Sequence, residues 1–390
     1  MKMENGLLTI TRIMSGASQT VISDEARTKW AARILAFMGI ASFAVTWRVW
    51  TPYRTYPAIP YIPWLHPSAV SVGVFALACV GLLASLWNRF RKAGLLVFFL
   101  CTAFLVLEDQ SRLLAYIYIS LVAAVCLLFD RLDCFRLALP FVYFWAGFHK
   151  FNGQYLTRVF PWVFFTPHIT HWLSYLGHWR LMAAASAACE LSVAPLLFWR
   201  RSRRWGVYLA VSLHLLILVL IGPLGSNVYQ CVWAWNAAMA AWIVVLFWNF
   251  NEPIRLFPVR DVMRGVVIFL FVVTPILNMF SLWDDGASFH QFSGIAVDAY
   301  LQIPQGRESE LPRSAREVMA DGRVYFSPWA VKDTNADSHA SERVYRGIFR
   351  QVCRQAPDLT LVIVKPAWPS GRTTNKRESC PTLSTDSPVH

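Results

Sequence analysis

Charge is scarce in this sequence. Asp, Glu, Lys and Arg supply 15% of its 390 residues and hydrophobic types 56%; with a mean hydropathy of +0.41, that excludes an ordinary soluble fold. Acidic residues are scarcer still, 23 against 36 Lys and Arg, leaving a net charge of +13. Such an excess would suit nucleic acid, but the cations sit in short loops between apolar runs, the pattern that encodes membrane topology, so nucleic acid is set aside as a partner. The first 29 residues lack an early apolar core, which excludes a cleavable signal peptide and leaves the first helix as the targeting signal. CxxC spacing is also missing. Cys79, Cys101, Cys126, Cys134, Cys189 and Cys231 lie in or beside apolar runs and read as buried small side chains. Cys353 and Cys380 fall in the tail and are free to pair if that tail faces an oxidising compartment. No internal repeat is visible.

Long apolar runs, by contrast, are plentiful. Segments of spanning length occupy residues 31–49, 68–87, 94–107, 113–129, 135–150, 181–199, 205–222, 228–249 and 264–282. The third is short and ends in LEDQSR, so a tilted or broken helix and a count of eight compete with nine. With the N-terminus inside, the inner segments hold seventeen Lys and Arg and the outer loops six, the other thirteen following residue 300, which favours N-in and C-out. Inverting the later loops would turn RRSRR at 200–204 outward. Beyond Trp283 the pattern changes. VDAYLQI, RVYFSPW and LTLVIVKPAW read as strands. SERVYRGIFRQVCRQAP reads as an amphipathic helix with Val344, Ile348, Phe349, Val352 and Cys353 on one face, stopped by Pro357. The expected fold is an all-α polytopic membrane helix bundle with a small extracytoplasmic α/β domain. Its parts are a cytoplasmic segment at 1–29, the bundle at 30–283, the α/β domain at 284–368 and a disordered Ser, Thr and Pro-rich tail at 369–390.

An ionisable group at bilayer depth costs roughly 3 kcal/mol or more unless paired or hydrated, so each demands an explanation. Glu190 and His214 lie mid-helix on two segments joined by RRSRR, a hairpin that puts both at similar depth and a Glu190–His214 contact within reach. The small residues AAASAAC before Glu190 permit close helix approach. Such a pair either fixes helix register or forms part of a site. Asp109 and Arg112 read either as a solvated helix cap or as a polar wall facing a cavity, with Glu108 and Gln110 nearby. His168 and His171 stand three apart without a carboxylate, so no metal site is assigned. Lys150 emerges at the outer end of the fifth segment beside His149, Asn152 and Gln154. It reads either as a snorkelling anchor or as a partly dry amine able to act as a base near neutral pH. Haem ligation by His149 and His214 is disfavoured because their depths differ.

YFWAGFHKFNGQYL at 143–156, ACELSVAPLLFWRRSRRWGVYLAVSLHLLI at 188–217 and ASFHQFSGIAVDAY at 287–300 together resemble the HTTM superfamily, which includes the membrane domain of vitamin K-dependent gamma-glutamyl carboxylase. The likeness covers about residues 30–300. It implies a quinol-dependent, carboxylase-like or epoxidase-like membrane enzyme in which Lys150 is the base that deprotonates a reduced quinone of the menaquinone or vitamin K type. His149, Glu190 and His214 would assist the chemistry, while Asp109, Arg112 and Trp145 would help bind the quinol. The tail after the last helix is far shorter than the carboxylase's lumenal region, which argues against carboxylation of protein glutamates. Composition and plan suit a bacterial inner-membrane protein. The alternative is a non-catalytic membrane module that binds lipid or a protein partner through its outer domain.

Overall fold

A computed structural model describes residues 23–256, 261–280, 282–290 and 292–380. Nine long helical segments run back and forth among them: α1 (Asp24–Val45), α2 (Ala69–Ala84), α3 (Arg91–Glu108), α4 (Ala115–Leu128), α5 (Leu132–His149), then, after the short α6 (Phe160–Phe165), α7 (Trp179–Phe198), α8 (Arg203–Ile221), α9 (Trp233–Phe247) and α10 (Val262–Met279). Of these, α1, α7, α8, α10 and α9, counted from Gln230, are long and apolar enough to cross a membrane; α2 and α4 are shorter apolar helices. The third segment is an unbroken helix, α3.

The two ends of the bundle are chemically different. At one end, arginines close off helix C-termini, whose last carbonyls lack intrahelical partners. Arg27 donates to the carbonyls of Val245 and Trp248, Arg136 to that of Leu246, and Arg203 to those of Leu197, Phe250 and Glu252. Asp133 and Asp261 bridge Arg131 and Arg264 at the same end. The opposite end carries the C-terminal domain, here called the cap.

The cap sheet is fully antiparallel in the order β2-β1-β3-β4, with β1 (Asp298–Gln302), β2 (Arg323–Tyr325), β3 (Thr360–Ala367) and β4 (Arg372–Ser379). Tyr300 pairs with Tyr325 on one side and Val362 on the other. Helix α12 (Glu342–Cys353) buries Val344, Ile348, Phe349, Val352 and Cys353, the face read from the sequence. Two expectations fail here. Residues FSPW continue as helix α11 (Phe326–Thr334), because Phe326 and Trp329 turn into the cap core together one helical turn apart. The tail is not disordered from residue 369: β4 pairs with β3 along its whole length, and a Cys353–Cys380 disulfide ties its end to α12. Residues 381–390 lie outside the described residues, as does most of the 1–29 segment.

The cap is seated on the loop between α1 and α2. Asp333 accepts from the amides of Thr55 and Tyr56 at 2.7 Å each, Tyr56 meets Trp329 edge to face, and Gln351 donates to the Ala58 carbonyl.

Candidate functional site

Close backbone approach positions Lys150. A Cβ on Gly147 would come within 2.7 Å of Leu191 Cα, so only glycine lets α5 and α7 meet here. One turn later Lys150 reaches Glu190 on α7 and forms an ion pair with it, over the ring of Tyr155. Both side chains are mostly buried, at 11% and 17% exposure. Tyr155, at the start of a π-helical turn, bonds to Ser186 at 2.7 Å beside them. The expected Glu190–His214 contact is therefore not made. His214 is 2.7 Å from the Tyr143 hydroxyl and 2.8 Å from Asn236 Oδ1. Glu190 acts on it only through space. The nearer cation wins the carboxylate, since an ion pair with Lys150 compensates its charge while a neutral imidazole would not.

Asp109 and Arg112 do not wall a cavity. They sit at 0% exposure in a polar knot that joins α3 to the α1–α2 loop. Arg112 donates to the carbonyls of Val49 and Leu105 and to Glu108. Asp109 holds Arg54, Ser111 and the amide of Ile59. Glu108 also accepts from Ser71. The solvated-cap reading fails as well, because the knot is dry.

The large cavity lies elsewhere, between the bundle end and the cap, and encloses about 970 Å³. Phe148, Trp283 and Trp368 form apolar wall, and Met279 and Leu282, exposed at the end of α10, line it too. His149 and His290 line it from the bundle side, with Asp284 and Asp285 near them. The two imidazoles are in direct contact, Nε2 to Nε2 at 3.1 Å, and are 1% and 7% exposed. Trp145 does not line the cavity; it stacks behind His149 and donates to the Phe271 carbonyl at 2.8 Å. That carbonyl belongs to the π-helical stretch of α10, at 269–273. On the cap side, the β3–β4 turn closes the cavity. Trp368 stacks on Phe148, Gly153 donates to the Pro369 carbonyl, and Gln154 reaches the Gly371 carbonyl. Gly371 has φ +69° and packs against the Gln154 backbone, a position only glycine fills without strain.

Electrostatics in the cavity follow from burial. It pushes the His290 imidazole down to about 3, so this ring is neutral at pH 7, and it pushes the Asp285 carboxyl up. Burial works against Asp284 too, but His339 and Arg343 outweigh it and hold that carboxyl below the usual range. Asp285 accepts from Asn278 at 2.8 Å and from the Val297 amide at 2.9 Å. Among the described residues no cluster of three or more His, Cys, Asp or Glu could hold a metal. His149 and His214, engaged with different partners, do not form a facing haem pair.

Of the residues named from the sequence, Lys150 and Glu190 meet, His149 lines the cavity, and His214, Asp109, Arg112 and Trp145 are committed to packing contacts. His290, Asp285 and Trp368 were not singled out. His290 stands inside ASFHQFSG, but nothing local marks it, because its partner is 141 positions earlier. No family model, curated protein or solved structure matches the chain. Fold and site together define a mostly helical protein of membrane-like character with a capped junctional cavity.

Proposed function

We propose that the protein is a membrane enzyme of the carboxylase-like HTTM type that takes a quinol-like amphiphile into the cavity between bundle and cap. The arginine-rich end faces the cytoplasm and the cap lies outside, in accord with the bias of basic residues toward the cytoplasmic side. Exposed tryptophans support a bilayer between the two ends: Trp30, Trp87, Trp199 and Trp205 at the arginine end, and Trp64, Trp172, Trp283 and Trp368 at the cap end.

The observation that carries the reading is the cavity itself. Its volume of about 970 Å³ is ample for a ring with part of a tail. Phe148, Trp283 and Trp368 offer flat apolar faces to a ring. Exposed Met279 and Leu282 continue the apolar lining toward the lipid side of α10. His149 and His290 meet the polar end; His149 Nδ1 is buried without a hydrogen-bond partner, and His290 Nδ1 faces Asp285 at 3.5 Å. A buried polar atom left open costs about 1 to 3 kcal/mol, which a ligand hydroxyl or carbonyl would recover. A quinol, when bound, supplies an acidic hydroxyl and reducing equivalents. Lys150, one residue from His149 in the chain, pairs with Glu190 outside the cavity lining.

Titrating the full chain in lipid nanodiscs with a short-tailed naphthoquinone, read by tryptophan quenching, tests this. Saturable quenching is expected, weakened at least tenfold by Ile295→Trp, which fills the cavity. Quenching that never saturates, or that Ile295→Trp leaves unchanged, refutes it.

A second reading, a non-catalytic module that binds lipid in the same cavity, is favoured by the engagement of Lys150 in an ion pair, which makes that residue an anchor between α5 and α7.

A further inference from the structure

Two buried imidazoles in contact constrain one another. Bonding Nε2 to Nε2 at 3.1 Å requires one ring to donate and the other to accept. A neutral imidazole has a single N–H. The ring that donates through Nε2 must therefore present a bare Nδ1 lone pair, and the ring that accepts must carry its proton on Nδ1.

Asp285 decides which ring is which. Its Oδ1 lies 3.5 Å from His290 Nδ1. A carboxylate facing a ring nitrogen favours the proton on that nitrogen, as in other carboxylate–histidine pairs. His290 is then the Nδ1–H tautomer and accepts at Nε2, while His149 donates from Nε2. That leaves His149 Nδ1 as a lone pair in a side chain lining the cavity. A Phe289 backbone group lies near the His149 ring, and His149 Nδ1 has no hydrogen-bond partner.

We propose that His149, His290 and Asp285 form a proton relay that serves the cavity ligand, resting on the quinol reading above. His149 accepts a proton at Nδ1 from a ligand hydroxyl. As that bond forms, the Nε2–H bond of His149 breaks and its proton passes to His290 Nε2. The Nδ1–H bond of His290 then gives its proton to Asp285 Oδ1. One proton enters at the ligand end and one leaves at the carboxylate end. Both rings finish neutral with their tautomers exchanged, and the negative charge has moved from Asp285 to the ligand oxygen.

Such a route suits the site's burial. An imidazolium held at either ring would be costly in so dry a setting, as the low affinity of His290 for a proton indicates. A relay never requires one to persist. Burial also raises the proton affinity of Asp285, the terminal acceptor. The relay assigns proton acceptance to His149, whereas the family resemblance would assign it to Lys150.

The test is 15N NMR of histidine-labelled full chain in nanodiscs, together with the naphthoquinone titration. The expected spectrum contains a neutral Nδ1–H imidazole, assigned to His290 by its loss in His290→Gln, that persists unchanged from pH 5 to 8. In Asp285→Asn this ring should lose its preference for the Nδ1–H form. Titration of His290 within that range, or an Nε2–H form in wild type, overturns the relay even if quinone binds. Absence of saturable quinone binding in the wild type, with tautomers as expected, overturns instead the quinol reading and thus the relay's substrate. Should His290→Gln fail to fold, Asp285→Asn alone decides, because a relay requires its tautomer shift and an unshifted ring refutes it.

Discussion

Two polar clusters occupy the cap end of the bundle and differ in what they leave open. In the knot around Arg112 the charged groups are held by one another and by the backbone, and the atoms left over, Arg112 Nη2 and Gln110 Oε1, face no large cavity. Arg112, Glu108 and Asp109 are sealed from solvent and reach carbonyls and amides on three chain segments. Around His149 and His290 burial is similar, but His149 Nδ1 lacks a partner and the side chains border a large cavity. Residue type does not separate structural polar groups from functional ones here. What separates them is whether a ligand has room to reach the atoms left open.

This contrast can be broken, most severely at Arg112. Arg112→Met strands Glu108 without a countercharge and leaves Asp109 with Arg54 alone, and the full chain should lose about 4 kcal/mol or fail to fold. His149→Gln should cost about 1 kcal/mol or less, because its lost partner is one neutral ring. Thermal unfolding in a fixed detergent compares the two, and equal losses would erase the distinction. The disulfide comes next. Cys353→Ser with Cys380→Ser should destabilise the cap by about 3 kcal/mol and raise hydrogen exchange along β4, leaving the bundle's exchange unaltered. Accelerated exchange throughout the bundle would contradict a cap with its own core.

A smaller effect sits on β1. Burial pushes the Asp298 carboxyl up to about 6, above its ordinary 3.8. The folded cap therefore binds this proton more tightly than the unfolded chain. Stability from this group is full below about pH 4, falls as pH rises to about 6 and is level above that. Asp298→Asn should flatten that slope and stabilise the cap at pH 7 by on the order of 2 kcal/mol. Melting curves at pH 4, 6 and 8 measure it; a wild-type curve rising with pH through this window would contradict it. The smallest expected stability change, within about 0.5 kcal/mol, is that of Lys150→Arg, which keeps the ion pair with Glu190. Within the enzyme reading it also separates the two candidate bases. A guanidinium does not surrender its proton, so quinol oxidation disappears if Lys150 is the base and persists if His149 takes the proton instead.

Much of the bundle was legible because apolar length and loop charge are local properties. The segment read at 135–150 becomes α5, Leu132–His149, and that at 205–222 becomes α8, Arg203–Ile221. The buried face of α12 was equally plain, since a 3.6-residue period needs no outside information. The strand β4 was hidden. Its residues, RTTNKRES, are exposed and polar, and only pairing with β3 and the Cys353–Cys380 bond hold them in place. Likewise FSPW alternates well enough for a strand, and only the packing of Phe326 and Trp329 into one core makes it helical.

The amino-acid order alone therefore determined which stretches are apolar helices, that basic residues favour one set of loops, and that polar groups are buried among them. It could not determine partners. The sequence paired Glu190 with His214, and close packing at Gly147 gave it Lys150 instead. His149 met His290 across 141 positions because the chain after α10 folds back beneath the cap. Hydrogen bonds and ion pairs act over about 3 Å, a distance that chain spacing does not encode once helices cross, so only the assembled bundle and cap decided which buried groups are satisfied and which are left open to a ligand.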